Sequence, residues 1–372
     1  MNRVFLSVTN DTFTDHRVHK MAKTLFEKGF KVVMVGIKTQ QKIVQPNYAK
    51  IIRLRMLFKK GLGFYAEYNI KLFFFLLFSK SDVLTANDLD TLLPNYLVAK
   101  IRNKKLIFDS HELYVESPEI VNRKRVQNFW TRIEKLCVKG IDYGMTVSEP
   151  IALYYQEKYK KEFVVIRNLP NLKVKSEQSV IMPEFFNNEK IILYQGFLNI
   201  GRGLEMAIES FRYIDKACFI IIGVGDIEKE LKEKVKSLNL ENKVFFTGRI
   251  SQEHLHLYTQ KATIGLSVEQ NIGKNYEYAL PNKLFAYIRE GVPVIVSDLP
   301  EMRKVVEKYK VGEVFKPQSN KEFQKSNDEA MQFAELITSM INDAEKLSLY
   351  KKNCLTAADE LCWEKEVMKL PY

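Results

Sequence analysis

Residues 280–298 read LPNKLFAYIREGVPVIVSD, and this stretch does most to decide the fold. Pro281 suits the first turn of a helix, apolar side chains then recur at about the helical repeat, and Gly291 suits a left-handed cap. The β-branched run Val292–Val296 predicts a buried strand directly afterwards. A helix that leads straight into such a strand indicates an α/β sheet.

The first turn of that helix carries two polar residues, Asn282 and Lys283. Backbone amides and the positive end of the helix dipole favour an anion there, phosphate above all. The stretch resembles a motif of glycosyltransferase family 4, PNKLFEYxxxGxPVIxS, which lies in the nucleotide-binding domain. The resemblance implies donor contacts from Asn282, Lys283 and Leu284. It departs from the family at Ala286, where a Glu usually holds the ribose of the donor.

Two series of alternating strand and helix patterns fill most of the chain. The first runs from a strand at Val4–Val8 to one at Phe163–Ile166, and the second begins with a strand at Ile191–Gln195. Alternation of this kind predicts two doubly wound parallel sheets of the α/β class. Between the two series, residues 173–190 lose periodicity and collect Pro, Ser and Asn, which predicts a linker.

The family resemblance implies the GT-B architecture, in which two Rossmann-like domains face each other across a cleft. It assigns the acceptor side to residues 1–172 and the nucleotide-sugar side to residues 191–346. It also implies that the last helix, within residues 347–372, crosses back to the N-terminal domain.

Positive charge is concentrated in the first half of the chain. Residues 1–172 contain 29 Lys and Arg against 16 Asp and Glu, a net of +13, whereas residues 173–372 contain 28 against 29, a net of −1. The asymmetry indicates an anionic partner, either nucleic acid or a membrane surface, with a solvated face as the third interpretation. The sequence has no helix-turn-helix, RNP-like or zinc-finger pattern, which favours a membrane and predicts no nucleic acid partner.

The aromatic segment at residues 65–80 supports the membrane interpretation. Its apolar run Leu72–Phe78 is shorter than the roughly 17–25 residues that a spanning helix needs, so it predicts either a helix lying on a bilayer or a core helix. The chain opens on a strand pattern rather than a secretory leader, and its four cysteines form no CxxC pair. We therefore expect a reduced, cytoplasmic setting, with peripheral attachment at the inner face of the membrane.

A glycine-rich loop follows the first strand of the second series. The sequence QGFLNIGRGLE from residue 195 leads into a helix, and its glycines let backbone amides approach an anion. The loop is similar to the donor-phosphate loop of family 4, which implies donor contacts from Gly196 and Gly203. Arg202 stands where the family has a diphosphate-binding Lys, and Phe197 where it often has an Arg. We expect Arg202 and Lys283 to stabilise the leaving diphosphate together.

Two further donor-side segments match the family more loosely. Residues 247–250, TGRI, resemble the loop that borders the nucleobase through backbone contacts, which implicates Gly248 and Ile250. Glu277 lies near the family's other acidic position, which contacts the sugar.

His111 follows a predicted strand at Lys105–Asp109. Ligands bind at the carboxyl ends of strands in doubly wound sheets. The resemblance places a His that faces the donor sugar at this point, so His111 is predicted to position the donor. Asp109 is predicted to orient its ring, and a purely structural histidine is the alternative.

Three polar residues near the end of the first strand, Asp11, Asp15 and Arg17, are candidates for the acceptor side. Family 4 often has a glycine-rich loop near the acceptor here, but this chain has no glycine at that point. The alternative for Asp15 is that it caps the following helix.

No metal site is predicted. Asp88-Leu-Asp90 has the DxD form of the other nucleotide-sugar transferase fold, but Asp90 is expected to cap a helix at Thr91–Arg102. The paired histidines elsewhere lack the neighbours that a metal site needs. We expect no cofactor, since the nucleotide sugar is a substrate.

The resemblance implies a retaining glycosyltransferase of family 4, and the lack of a metal-ligand pattern predicts that it is metal-independent. The resemblance implies transfer of a hexose from a nucleotide-diphosphate donor to a glycan or lipid-linked acceptor in surface polysaccharide assembly. The second hypothesis is a catalytically weak or inactive GT-B protein that acts as a binding partner, because Ala286 and Phe197 depart from the family. The third, a sugar-nucleotide epimerase of the same architecture, is disfavoured by the PNKLF helix.

Overall fold

The computed structural model describes residues 2–12, 15–39, 45–172, 180–187, 190–317 and 326–372. The chain divides into two compact units. Unit 1 comprises Met1–Asn168, Gly273–Asn275 and Val367–Tyr372, and unit 2 comprises Leu169–Ile272 and Tyr276–Glu366. The predicted linker falls partly outside the described residues, since 173–179 and 188–189 are not among them.

Within the described residues, unit 1 contains a seven-stranded parallel sheet of order β3-β2-β1-β4-β5-β6-β7. Its strands are β1 (Arg3–Ser7), β2 (Lys31–Ile37), β3 (Lys50–Leu54), β4 (Val83–Asn87), β5 (Lys105–Ser110), β6 (Tyr143–Thr146) and β7 (Phe163–Val165). Its helices are α1 (His16–Glu27), α2 (Gly61–Phe78), α3 (Leu89–Arg102), α4 (Pro118–Val121), α5 (Lys124–Val138) and α6 (Glu149–Tyr159).

Unit 2 repeats this topology with a six-stranded parallel sheet of order β10-β9-β8-β11-β12-β13, again counted over the described residues. Its strands are β8 (Ile191–Gln195), β9 (Cys218–Ile222), β10 (Val244–Gly248), β11 (Ile264–Ser267), β12 (Val294–Ser297) and β13 (Gly312–Phe315). Its helices are α7 (Leu204–Ser210), α8 (Glu228–Ser237), α9 (Gln252–Thr259), α11 (Asn282–Glu290), α12 (Pro300–Tyr309), α13 (Ser326–Asn342), α14 (Ala344–Glu360) and α15 (Trp363–Glu366), and the short α10 (Lys274–Glu277) begins in unit 1 and ends in unit 2.

The strand order determines where ligands can bind in each unit. The central strands are buried along their length, as parallel strands covered by helices on both faces must be. The order reverses between β1 and β4 in unit 1 and between β8 and β11 in unit 2. The crevice outside the carboxyl ends of the strands at such a switch point is the usual ligand site of doubly wound sheets.

The structure corrects one sequence prediction and adds elements that were not predicted. Helix α3 begins at Leu89 with Asp88 at its N-cap position, so the prediction that Asp90 is the cap was wrong. The edge strand β3 and the segment α12–β13–α13 were not predicted. Helix α14 packs against α11 in unit 2, and the crossing of the last helix to the N-terminal domain stays a prediction.

Across the described residues, no helix has both the length and the apolar character needed to span a membrane.

Candidate active site

In unit 1, the switch point is occupied by a charged group centred on His111. The register of β4 and β5 places Asn87 beside Asp109, so the residues that follow these strands meet. The backbone N–H of His111 donates to Asp88 Oδ1 at 2.8 Å. Its ring nitrogens lie 3.2 Å from Asp88 Oδ2 and 3.2 Å from Asp109 Oδ2. The predicted contact between Asp109 and His111 is confirmed, whereas Asp88 was not predicted as a partner.

These two carboxylates keep the imidazole charged. Burial alone would lower the pKa of His111, but the negative charges of Asp88 and Asp109 raise this pKa well above its usual value. Both ring N–H groups then donate to carboxylates, and the site carries an imidazolium at neutral pH. The donor-positioning role of His111 stays a prediction.

Arg17 forms a buried ion pair with Asp109, and its side chain is only 4% exposed. Nε and Nη2 donate to the two carboxylate oxygens of Asp109 at 3.0 and 2.8 Å, and Nη1 donates to the carbonyl oxygen of Ile166 at 2.8 Å. Burial raises the pKa of Asp109, but Arg17 and His111 outweigh this and hold it well below its usual range. Arg17 therefore fixes the position of the Asp109 carboxylate.

The other two acceptor-side candidates also have structural partners. Asp15 caps α1, since its Oδ1 accepts from the backbone N–H of Val18 at 3.0 Å. Asp11 is buried and forms an ion pair with Arg53 at 3.0 Å. The capping interpretation of Asp15 is therefore confirmed, and acceptor contact by either residue stays a prediction.

Asp90 lies in the first turn of α3, close enough to Asp88 and His111 for their charges to affect it. Its Oδ2 accepts from the Thr9 hydroxyl at 2.5 Å, and its Oδ1 has no hydrogen-bond partner among the described residues. Burial first, and then the charge of Asp88, raise the pKa of Asp90 to about 8.

In unit 2, helix α11 is fixed against the sheet by Tyr287. The Tyr287 hydroxyl accepts from the backbone N–H of Gln195 at 3.0 Å and donates to the carbonyl oxygen of Leu193 at 3.1 Å. Its ring fills the space that a side chain at Gly265 would need, since a Cβ there would lie 2.4 Å from the ring. Lys283, one turn earlier on α11, is thereby held near the ends of β8 and β11.

The two predicted cations of unit 2 converge on a carboxylate that the sequence analysis missed. Lys283 Nζ lies 2.7 Å from Glu269 Oε1, and Arg202 Nη1 lies 3.6 Å from the same oxygen. The Ser267 hydroxyl donates to Glu269 Oε2 at 2.9 Å. Burial would raise the pKa of Glu269, but Lys283 and then Arg202 lower it overall. Two cations thus share one buried anion, which leaves a net positive charge.

Glu269 follows β11 closely, so the carboxyl-end rule that selected His111 also points to it. Glu277, which is predicted to contact the sugar, ends α10 and is half-buried, and its contact stays a prediction. Lys283 Nζ also lies 4.0 Å from the centre of the Tyr194 ring, and the Arg202 guanidinium lies 5.3 Å from that of Tyr276.

The glycine loop beside these cations depends on close backbone approach. Gly203 has φ +70°, and a Cβ there would lie 2.1 Å from the carbonyl oxygen of Val268. A Cβ on Gly223 would lie 1.8 Å from the carbonyl oxygen of Gly196. Among the described residues, Arg202 Nε is a buried donor without a hydrogen-bond partner. This donor and the net positive charge suit an anionic ligand.

The remaining donor-side candidates differ in how exposed they are. Gly248 ends β10, and its carbonyl oxygen accepts from the backbone N–H of Gly223 at 3.0 Å. Ile250 is half-buried, Asn282 is exposed at the start of α11, and Leu284 is buried in the core. Phe197, at the usual Arg position, is 69% exposed.

Part of the chain is similar to known glycosyltransferases. Residues 177–348 match the family described as glycosyl transferases group 1. This segment is similar to that family over slightly less than half of the chain. The amylovoran biosynthesis glycosyltransferase AmsK of Erwinia amylovora is 29% identical over 168 residues, which cover 41% of this chain and 40% of AmsK.

A second relative comes from Campylobacter jejuni and is named GalNAc-α-(1→4)-GalNAc-α-(1→3)-diNAcBac-PP-undecaprenol α-1,4-N-acetyl-D-galactosaminyltransferase. It is 27% identical over 194 residues, 50% of this chain and 48% of the relative. The matches thus span less than half the length of either relative. Anabaena Alr3699/HepE, solved with UDP-glucose, superposes with a TM-score of 0.73 at 13% identity, covering 99% of this chain and 98% of HepE. The predicted GT-B fold is confirmed.

Proposed function

We propose that this chain is a retaining glycosyltransferase of family 4 that moves a hexose from a nucleotide-diphosphate sugar to a glycan or lipid-linked acceptor. The observation that carries the proposal is the pairing of Arg202 and Lys283 beside the glycine loop, at the carboxyl ends of the central strands of unit 2. The similarity to the group 1 family supports it, as do the relatives named for amylovoran biosynthesis and for transfer to an undecaprenol-linked glycan. The proposed process is surface polysaccharide assembly.

The chemistry follows from charge. When the sugar leaves its donor, negative charge develops on the diphosphate, and cations fixed in advance stabilise it without reorganisation. Glu269 holds both cations in place and offsets only one of their two charges. Backbone amides at the start of α11 add to this field. In unit 1, the imidazolium of His111 positions the donor sugar.

We place the reaction at the inner face of the cytoplasmic membrane, with no metal ion and no nucleic acid partner. The second candidate function is a GT-B binding protein without transfer activity. Ala286 and the exposed Phe197, at two positions where family 4 usually has donor-binding side chains, favour it.

Calorimetry with UDP tests the donor site. Arg202→Ala and Lys283→Ala each remove a charge-assisted contact worth about 1.5–3 kcal/mol, so each should weaken UDP binding about tenfold or more. Lys229→Ala, on α8 of the same unit and 86% exposed, is the matched control and should leave the affinity unchanged. Equal UDP affinity in wild type and both site variants would refute the assignment. Tight UDP binding without release of UDP from any nucleotide sugar would favour the binding protein.

A further inference from the structure

Helix α2 is apolar on two opposite faces, and only one of them is buried. Tyr68, Leu72 and Leu76, spaced four residues apart, are fully buried in unit 1. The other face exposes large apolar side chains: Leu62 at 70%, Ile70 at 58%, Phe74 at 53% and Phe78 at 82%. A soluble helix normally turns polar residues outward, so an exposed apolar face of this size indicates a partner.

The two neighbouring helices continue this exposed face. Helix α3 packs beside α2, and α5 packs beside α3. The Tyr65 ring of α2 also contacts the Trp130 ring of α5, with 5.5 Å between centroids. Each neighbour exposes apolar side chains of its own, namely Leu97 and Ile101 on α3 and Phe129 and Leu136 on α5. We call the exposed residues of α2, α3 and α5 the basic apolar surface.

The charged side chains of this surface all have the same sign. All residues of the three helices are described, and their exposed charged residues are Lys100, Lys124, Arg125, Arg132 and Lys135. The carboxylates of the same three helices are shielded. Asp90 is 6% exposed, Glu134 is 0% exposed, and Glu67 is paired with Lys71. The surface therefore combines exposed apolar groups with uncompensated positive charge.

A cavity of about 310 Å³ at the C-terminal ends of α2 and α3 extends the positive charge. Its lining residues are Arg3, Lys31, Lys80, Ser81, Asp82, Arg102 and Lys104, in which five cations face one carboxylate. Lys80 and Arg102 lie just beyond Phe78 and Ile101 of the basic apolar surface.

We propose that the basic apolar surface docks onto a lipid bilayer that contains anionic lipids. Apolar side chains insert at the boundary of headgroups and acyl chains, while Lys and Arg attract the headgroups. A second copy of the chain fits less well, because two surfaces of the same charge repel each other. Nucleic acid would use the cations but not the exposed Phe and Ile side chains. Docking itself is independent of the proposed transfer, and only its purpose, access to a lipid-linked acceptor, rests on that function.

Vesicle sedimentation with the full chain tests this inference. We expect binding to vesicles of phosphatidylcholine and phosphatidylglycerol at low salt, weaker binding at high salt, and little binding to phosphatidylcholine alone. Phe74→Ser with Phe78→Ser should reduce binding about tenfold or more, and Arg132→Gln with Lys135→Gln should reduce it only for anionic vesicles. Leu349→Ser, an exposed apolar position on α14 of unit 2, is the matched control. Leu72→Ser is unsuitable, because Leu72 is fully buried.

The outcomes separate the alternatives. Selective loss of binding in the two surface variants, with unchanged thermal unfolding, supports the bilayer. Wild-type protein that stays in the supernatant with every vesicle, or that binds as well with both surface variants, overturns the proposal. A dimer in sedimentation velocity that Phe74→Ser with Phe78→Ser dissociates, without vesicle binding, would instead assign the surface to a second copy. UDP affinity measured on the same variants distinguishes a failed docking surface from a failed donor site.

Discussion

At the scale of single residues, His111 owes its charge to its position between two carboxylates. Asp88 and Asp109 each lie 3.2 Å from one ring nitrogen, and Arg17 holds Asp109 from its other side. The four groups form a network of two cations and two anions, so their charges balance. Removing one member of a buried pair leaves an uncompensated charge, which typically costs about 3–5 kcal/mol.

We predict that His111→Gln removes a pH-dependent part of the stability. The folded pKa of His111 lies above the ordinary value of 6.5. Its stabilising contribution is therefore complete below the unfolded pKa and is lost as the pH rises through the folded pKa. Urea unfolding at about pH 6 and about pH 10 should show that the free-energy difference between wild type and variant shrinks at the higher pH, by about 1.4 kcal/mol for each unit of pKa shift. A difference that does not change with pH would mean that His111 is not held as a cation.

The cations of unit 2 were predictable from the sequence, but the carboxylate between them was not. Arg202 and Lys283 belong to motifs with fixed spacing, whereas Glu269 precedes a loop whose length hides which acidic residue turns inward. The pairing of Asp88 with His111 was also missed, because it requires β4 and β5 to be neighbours, and chain order alone does not establish that. Residue types were thus predictable where a motif fixes them. A partner close in sequence, Asp109 for His111, was also predictable, whereas Asp88 and Glu269 were not.

At the scale of elements, most of the alternating pattern was predictable because buried parallel strands are continuous apolar runs. Strand β8, IILYQ, and strand β9, CFIII, are of this kind. Strand β3, KIIRL, is a partly exposed edge with charged residues, and β13, GEVF, has only four residues and includes a Glu. Such strands gain their structure from pairing with a neighbour rather than from their own pattern.

A second pH prediction concerns Asp90 of α3, whose pKa is raised chiefly by burial, whereas burial by itself lowers that of His111. Burial raises the pKa of Asp90 to about 8 from an ordinary value of 3.8. The contribution of Asp90 to the free energy of unfolding is therefore most favourable below pH 3.8 and is lost as the pH rises towards 8. Asp90→Asn keeps an acceptor for the Thr9 hydroxyl but has no charge to bury. We predict that it raises the free energy of unfolding at about pH 9 by more than 1 kcal/mol and changes it little at about pH 4. Urea unfolding at both values measures this, and equal effects at the two would disprove an elevated pKa.

At the scale of the whole molecule, the two units share one sheet topology but carry different groups of charged residues. In each sheet the first and fourth strands of the unit are neighbours. His111 and the Arg202–Lys283 pair each lie near the carboxyl ends of strands at such a switch point, on different strands of their units. The excess positive charge lies in the first half of the chain, and part of it is on the exposed faces of α3 and α5 in unit 1. Separate locations allow the donor site and the basic apolar surface to be tested by different variants.

The proposed transfer requires no divalent cation, because Arg202, Lys283 and the start of α11 supply the charge that a metal ion provides in other transferases. We predict that UDP release from a nucleotide sugar that the protein accepts changes by less than about twofold between EDTA and added Mg²⁺. Arg202→Ala should lower the release under both conditions, which checks that the assay reports this site. Release that EDTA abolishes and a divalent cation restores would show that the leaving diphosphate needs a metal ion, and that the two side chains do not suffice for it.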